Sequence, residues 1–221
     1  MEIHFDEELR LLKQKLLAMA DTSQEMIGLA IAALVKREVD LIDRVLTIEK
    51  RVNREEIEIE EEAIRLFATR QPIAKDLRFL VALMKINNDI ERIADQACNI
   101  AETSMYLLQE PPLRVPLVNI PAMAENVQRL VRDSIEAFVS HNVELAKKVC
   151  ERDDEVDWVN DQIFRTLLTY MMENPKVITR SVDIILISRN LERIADHATN
   201  IAEEVIFIEE GKNVKHHIQS P

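Results

Sequence analysis

The chain has 221 residues, of which only 2 are glycine and 4% are aromatic, while 47% are hydrophobic and 31% are charged. Sheet-rich folds need more turn glycines and strand aromatics than this, so the composition indicates an all-α protein with long helices. Two glycines also exclude the glycine-rich dinucleotide loop, the Walker A phosphate loop and the serine elbow of the α/β-hydrolases. The formal net charge of −12 disfavours nucleic acid as a partner, because phosphate backbones repel an acidic surface.

The cysteines and the hydropathy of the N-terminus indicate where the protein works. Cys98 and Cys150 lie in apolar-periodic segments without a CxxC pair, which favours buried free thiols in a reducing compartment. Residues 1–10 are charged and lack an apolar signal core. The most apolar run, 182–187, is far shorter than the ~20 residues of a membrane span. We therefore expect a soluble cytoplasmic protein.

Prolines divide the chain into helical stretches, because proline is excluded from helix interiors. Their positions predict helical stretches over 5–70, 73–109, 122–173 and 177–210. The first and third stretches are too long for one globular helix, so each is expected to break near its middle. Asp40 and Asn142 are the expected N-caps after those breaks, which gives six helices.

A proline-rich segment separates two halves of the chain. Four prolines fall within 111–121, which is the expected linker. The predicted organisation is a first three-helix unit over 1–110, a second over 122–210 and a tail over 211–221.

The two halves repeat one motif. The segment IERIADQACNIAE at 90–102 and the segment LERIADHATNIAE at 191–203 are identical at 10 of 13 positions, at an offset of 101 residues. Upstream, apolar positions of 33–52 and 137–156 align at an offset of 104. We interpret this as an internal duplication of a three-helix unit. The predicted fold is all-α, with two tandem similar three-helix bundles.

Within each motif, acidic side chains share one face of the helix. At ~100° per residue, Glu91 and Asp95 fall on one axial stripe, and Glu192 and Asp196 repeat it. Like charges four residues apart destabilise a helix modestly, so their presence in both halves suggests a partner cation. Carboxylates suit hard or borderline metal ions. The alternative is a solvated surface on which these acids pair with neighbouring arginines, Arg92 and Arg193.

The preceding helix of each half offers a similar stripe. Asp153 and Asp157 are four residues apart, and Glu49 and Asn53 stand at the matching positions of the first half. A helix pair that carries two such stripes could bring three or four carboxylates together. The alternative is that Glu49 belongs to an ordinary charged surface, because it lies just before the acidic run 54–62.

The doubled ERIADxAxNIAE motif, QPIAKDLR at 71–78 and FDEELRLL at 5–12 resemble the PhoU family of phosphate-signalling regulators. The resemblance covers nearly the whole chain and implies two similar three-helix bundles. It implies a cytoplasmic protein, often a homodimer, that negatively regulates phosphate uptake and the phosphate regulon. Its implied partners are PstB, the ATPase subunit of the Pst phosphate importer, and the sensor kinase PhoR, with membrane contact only through these partners.

The resemblance also implies multinuclear metal sites, with iron or zinc as the ions. The residues that match the metal-binding motifs of the family are Glu91, Asp95, Glu192, Asp196, Asp153, Asp157 and Glu49. The fourth motif departs from the family pattern, because Glu49 is followed by Asn53 where an acid is expected.

Three functions compete at this stage. One is a metal-binding signalling adaptor, and another is a di-iron or iron-storage carboxylate protein on a helical bundle. The di-iron proteins use a Glu-x-x-His motif, and none of the five histidines follows a glutamate by three residues. The third is a metal-free helical scaffold with acidic faces. The chain offers neither a nucleotide site nor a nucleophile, so we expect a protein that is not an enzyme. We also expect His197 to be a surface residue rather than a ligand, and Trp158 to be a core or helix-packing residue.

Overall fold

The computed structural model describes residues 2–113, 118–212 and 214, and within these ranges it contains helices and no strand. Six long helices are joined by short connections, and a 3-10 turn at Pro175–Val177 precedes the last of them. The helices are α1 at Glu2–Lys36, α2 at Val39–Arg70, α3 at Ala74–Gln109, α4 at Ile120–Ser140, α5 at Val143–Glu173 and α6 at Ile178–Glu210. The predicted all-α fold of two three-helix units is confirmed. No described helix is long and apolar enough to cross a membrane.

The breaks in the two long stretches fall at matching positions of the duplication. Arg37 and His141 both have positive φ, 60° and 55°, and each ends one helix one residue before the next helix is capped. Asn142 is the N-cap of α5, and its side chain accepts a hydrogen bond from the backbone N–H of Leu145, as expected. Asp40 was the wrong N-cap for α2. Glu38 occupies that position with an extended backbone and no side-chain cap, and Asp40 lies in the first turn.

The linker prediction needs one correction. Residues 114–117 and most of the expected tail lie outside the described part of the chain. Helix α4 begins at Ile120, two residues earlier than expected, because Asn119 caps it and accepts a hydrogen bond from the N–H of Ala122. Pro121 then occupies the first turn, where its missing N–H costs nothing.

The two halves share one core. Helices α1, α3, α6 and α4 contact one another in a ring, with α2 packed on α1 and α3 and with α5 packed on α4 and α6. The pair α3–α6 makes the most extensive contact of the molecule, and it joins the two halves. Buried apolar side chains from all six helices form one continuous cluster. The duplicated units therefore stabilise each other by burying apolar surface between them.

Polar contacts also cross the interface between the halves. Lys85 on α3 lies 3.1 Å from both carboxylate oxygens of Glu204, which is buried on α6. Asp89 accepts a hydrogen bond from Asn200 at 3.1 Å and contacts Nδ1 of His197 at 2.8 Å. The expected surface position of His197 is therefore wrong, since its side chain is only 22% exposed and faces α3.

Trp158 was also misplaced by the sequence. It lies on α5 with 65% of its surface exposed, so it is not a core residue. The core side of α5 is instead formed by smaller residues, namely Ala146, Val149, Val156, Ile163 and Leu167.

Candidate metal-binding carboxylate clusters

In the second half of the chain, four carboxylates meet between α5 and α6. We call Asp153, Asp157, Glu192 and Asp196 the second cluster. Burial, followed by the negative charges of Asp196 and Asp157, raises the pKa of Asp153 to about 6. Burial and the charges of Glu192 and Asp157 likewise raise the pKa of Asp196 to about 6, although Asp196 keeps an exposed edge. Each carboxylate thus lies within the field of the others.

Within the described residues, the second cluster has no compensating ion pair. Burial and the charge of Asp157 raise the pKa of Glu192, and the nearby Arg189 and Arg193 partly oppose that rise. No basic side chain of the described chain, however, lies within 4.0 Å of any of the four carboxylates.

One oxygen of the second cluster is both buried and unpartnered. The Oδ1 atom of Asp153 has no hydrogen-bond partner in the described chain. The hydroxyl of Thr199 is near enough to oppose the rise in the pKa of Asp153, but the contact does not have the geometry of a hydrogen bond. A buried oxygen of this kind is costly unless something donates to it or binds it.

In the first half, the equivalent groups lie between α2 and α3. Glu49, Glu91 and Asp95 match Asp153, Glu192 and Asp196, and Glu49 and Asp95 both act on Cys98. We call Glu49, Glu91 and Asp95, together with Glu56, which acts on Glu91, the first cluster. Burial, followed by the charge of Asp95, raises the pKa of Glu91, and Glu56 adds to the rise. Unlike the second cluster, this one contains its own cation, because Arg92 lies 3.6 Å from Glu91 and 3.5 Å from Asp95.

Asn53 further reduces the negative charge of the first cluster. It stands where the second half has Asp157, and its Nδ2 donates a hydrogen bond of 2.6 Å to Glu49. One oxygen of Glu49 is therefore already engaged. The paired-arginine interpretation of these stripes holds for Arg92 in the first half, whereas Arg193 forms no such pair within the described residues.

A free thiol lies beside each cluster. Burial, followed by the charges of Glu102 and Glu49, raises the pKa of Cys98 to about 12. Burial and the charges of Glu203 and Asp153 raise the pKa of Cys150 to about 11. Both cysteines are free, and the raised pKa values keep them as thiols at neutral pH, where they are poor nucleophiles.

The carboxylate oxygens of the two clusters are ligands that suit a divalent cation. Within the described ranges, no group of three histidine, cysteine or acidic side chains is already arranged to hold a metal ion. Side-chain rotation would be needed to bring three oxygens to one point. The second cluster fits a cation better, because it has Asp157 where the first half has Asn53 and no arginine lies within ion-pair distance of it in the described chain. A buried oxygen without a partner in the described chain occurs at both clusters, on Asn53 and on Asp153.

Comparison with known proteins shows which family has this helical pattern. The PhoU domain matches the chain twice, over residues 16–104 and 120–205. The chain belongs to the PhoU family. It is 43% identical to a phosphate-specific transport system accessory protein PhoU homolog of Aquifex aeolicus, over 95% of this chain and 94% of the relative. It is 36% identical to PhoU homolog 1 of Thermotoga maritima, over 96% of this chain and 92% of the relative.

Two crystal structures of PhoU proteins share the fold. The structure of PhoU from Pseudomonas aeruginosa superposes with a TM-score of 0.92 at 36% identity, and the match covers 94% of this chain and all of that one. PhoU from Streptococcus pneumoniae gives a TM-score of 0.88 at 26% identity, with coverage of 96% and 99%.

All seven carboxylates selected from the sequence lie in these two clusters of the PhoU fold, and their role as metal ligands stays a prediction. The sequence missed Glu56, which lay within the acidic run 54–62. Its signal was the heptad spacing, since Glu56 follows Glu49 by seven residues and so returns to the same face of α2. The pairing of Arg92 with Glu91 and Asp95 matches the alternative interpretation of the first stripe as a charged surface.

Proposed function

We propose that this protein is a regulatory adaptor of phosphate transport, which represses phosphate uptake and the phosphate regulon when phosphate is abundant. The observation that supports it is the doubled PhoU domain, over 16–104 and 120–205, in a chain whose near full-length relatives are named accessory proteins of phosphate-specific transport. The proposed partners are PstB, the ATPase subunit of the importer, and the sensor kinase PhoR.

An adaptor role is consistent with the physical form of the molecule. Two halves of similar fold present two related helical faces, so one face can bind each partner. The net charge of −12 would steer the protein towards basic patches on partners. We propose that the protein acts without catalysis, because both thiols are held protonated and the acids form helix-surface clusters.

We further propose that the clusters bind metal ions, with iron or zinc as the physiological ions. Asp153, Asp157, Glu192 and Asp196 would hold the ion or ions of the second cluster. Glu49, Glu91 and Asp95 would provide a weaker site in the first. The cation would supply positive charge that relieves the repulsion between carboxylates one helical turn apart.

The iron-storage alternative has less support. Each cluster is built from the facing surfaces of two helices, and neither contains a histidine. The histidine nearest in sequence to the second cluster, His197, contacts Asp89 on α3 instead. We propose that the protein works in the cytoplasm as a homodimer, in keeping with its family resemblance.

A deletion strain tests the regulatory role. In rich phosphate, loss of the gene should leave phosphate-starvation genes expressed, and a plasmid copy should silence them. The wild-type gene and a gene with Asp157→Asn and Asp196→Asn should be compared, with protein levels checked by immunoblot. Unchanged expression in the deletion strain, in a genome without a second copy, would contradict the proposal. Full silencing by the variant would show that repression does not need the second cluster.

A further inference from the structure

A group of large apolar side chains is exposed where α5 turns into α6. On α5, Phe164, Leu168 and Met172 are 42%, 44% and 78% exposed. On α6, the corresponding group is 45%, 41% and 44% exposed and consists of Ile178, Val182 and Leu186. We call these six residues the hairpin face. Contiguous apolar surface of this kind is uncommon on monomers and typically marks an interaction site.

The six residues form two neighbouring stripes. Members of each stripe are four residues apart, so each stripe follows one side of its helix. Only Asn174 and the 3-10 turn separate α5 from α6, which makes the helices antiparallel neighbours, with the end of one stripe beside the start of the other.

Both stripes run on the side of the helix pair that carries the second cluster. Phe164 follows Asp157 by seven residues, and Val182 precedes Asp196 by fourteen. Helical positions drift by only ~20° per heptad, so these residues share a face with the carboxylates. At its inner end the hairpin face therefore borders the second cluster, where Arg189 and Arg193 accompany the four acids.

The first half shows that the fold does not require large apolar side chains here. By the offsets of the duplication, Glu60, Ile64 and Ala68 correspond to the stripe on α5. Leu77, Val81 and Lys85 correspond to the stripe on α6. Two of these six positions thus carry a charge, and a third carries only a methyl group. Because the same helix hairpin forms with these residues, packing within the chain does not require large apolar side chains at the positions of Phe164, Met172 and Leu186.

We propose that the hairpin face docks one of the adaptor's protein partners, through a segment that presents apolar side chains flanked by lysine or arginine. This inference rests on the proposed function and assigns a surface to it. Apolar side chains would cover the six residues, and the basic groups would face the acids of the second cluster. A second copy of this chain offers apolar side chains bordered by acids rather than by basic groups, so it matches this surface less well.

Binding measurements with both proposed partners test the inference. Purified PstB and the cytoplasmic portion of PhoR would be titrated with wild-type protein, with a Leu168→Ser and Val182→Ser variant, and with a Met172→Ser variant. The matched control is Val35→Ser with Val139→Ser, one position on α1 and one on α4, which are 56% and 39% exposed. Thermal melting of each variant shows whether it folds, and Met172, the most exposed of the six, provides a substitution that the fold tolerates.

We expect the hairpin variants to bind one partner about tenfold or more weakly, with the control within about twofold of wild type. Affinity of wild type should also fall as salt is raised. Equal binding by wild type and both hairpin variants would overturn the hairpin face while leaving the adaptor function intact. Failure of wild type to bind either partner would overturn the proposed function itself.

Light scattering and sedimentation with phosphatidylglycerol vesicles complete the test. A wild-type dimer that the hairpin variants separate would assign the surface to a second copy of the chain and overturn the proposal. Vesicle binding that the same variants abolish would assign it to lipid, with the same consequence.

Discussion

In the first half of the molecule, Arg92 lies within 3.6 Å of both Glu91 and Asp95. Asn53 also stands there in place of the acid that the second half has as Asp157. In the second half, four acids face one another with no basic group as close within the described chain. The duplicated helix pairs thus carry the same stripes in different electrostatic settings. In the first cluster one arginine pairs with two of the four acids, whereas no acid of the second cluster has such a partner within the described chain.

Metal binding should separate the two clusters most strongly. A ligand at a hundredfold excess over Kd stabilises the folded state by about 2.7 kcal/mol. We expect Asp157→Asn with Asp196→Asn to abolish most of the metal-dependent rise in Tm, which should be several degrees for a chain of this size. Glu91→Gln with Asp95→Asn, the matched change in the first half, should retain most of it. Thermal melting with Fe²⁺, Zn²⁺ or Mn²⁺ and elemental analysis measure this. Equal losses from both variants would contradict the comparison.

The free energy of unfolding of the metal-free protein should depend on pH differently in wild type and in a variant of the second cluster. The pKa of Asp153 and of Asp196 rises from 3.8 in the unfolded chain to about 6 in the folded one. The folded state therefore holds these protons more tightly, and the free energy of unfolding falls as pH rises from about 4 to above 6. Asp153→Asn with Asp196→Asn should remove this loss and stabilise the metal-free protein at pH 7.5 on the order of 1 kcal/mol, after allowance for solvent screening.

Urea unfolding at pH 4.5 and pH 7.5 checks that difference. The advantage of the double variant should disappear near pH 4.5, where wild type is also largely protonated at these positions. A variant that is less stable than wild type at pH 7.5 without metal would show that the second cluster is not under repulsion.

The break between the first two helices of each half offers a third test of how the halves differ. Asn142 caps α5 with its side chain, whereas the matching residue, Glu38, makes no cap hydrogen bond. Asn142→Ala should therefore cost about 1 kcal/mol of unfolding free energy, and Glu38→Ala should cost close to nothing. Urea unfolding of both variants measures this, and equal costs would show that the cap contributes little.

The smallest effect should come from the arginines. Arg92→Gln removes two ion pairs that are partly exposed, so we expect a loss of about 0.5 kcal/mol in the metal-free protein. The same change should let the first cluster bind a cation more tightly, which calorimetric titration with Zn²⁺ would detect. Arg193→Gln is the matched control and should change metal binding less. Identical behaviour of the two variants would remove the electrostatic distinction between the halves.

Much of the fold could be read from local signals. Prolines, helix length and candidate N-caps were enough to predict six helices, because these signals are local to each helix and its ends. Asn142 was found as a cap by its residue type. Asp40 failed because the choice between adjacent polar residues depends on backbone geometry at Arg37, which residue type does not determine.

The sequence predicted which acids form the candidate site, but it did not predict all of the contacts that their neighbours make. Helical periodicity placed the seven acids on facing stripes, since it depends only on spacing. The position of His197 was not predictable, because the duplication describes each half alone and says nothing about how α3 packs on α6. The pairing of Arg92 with both acids depends on the rotamer of a long side chain, which no periodicity encodes.

The α3–α6 surface has a consequence for how this chain could be divided. Its core is continuous across the halves, and the contact of Lys85 with the buried Glu204 lies between them. Two polypeptides, one ending at residue 113 and one starting at 118, should find each other after separate translation and assemble in the same register, as subunits of a heterodimer do. Peptide-bond continuity then serves mainly to raise the local concentration of one half around the other.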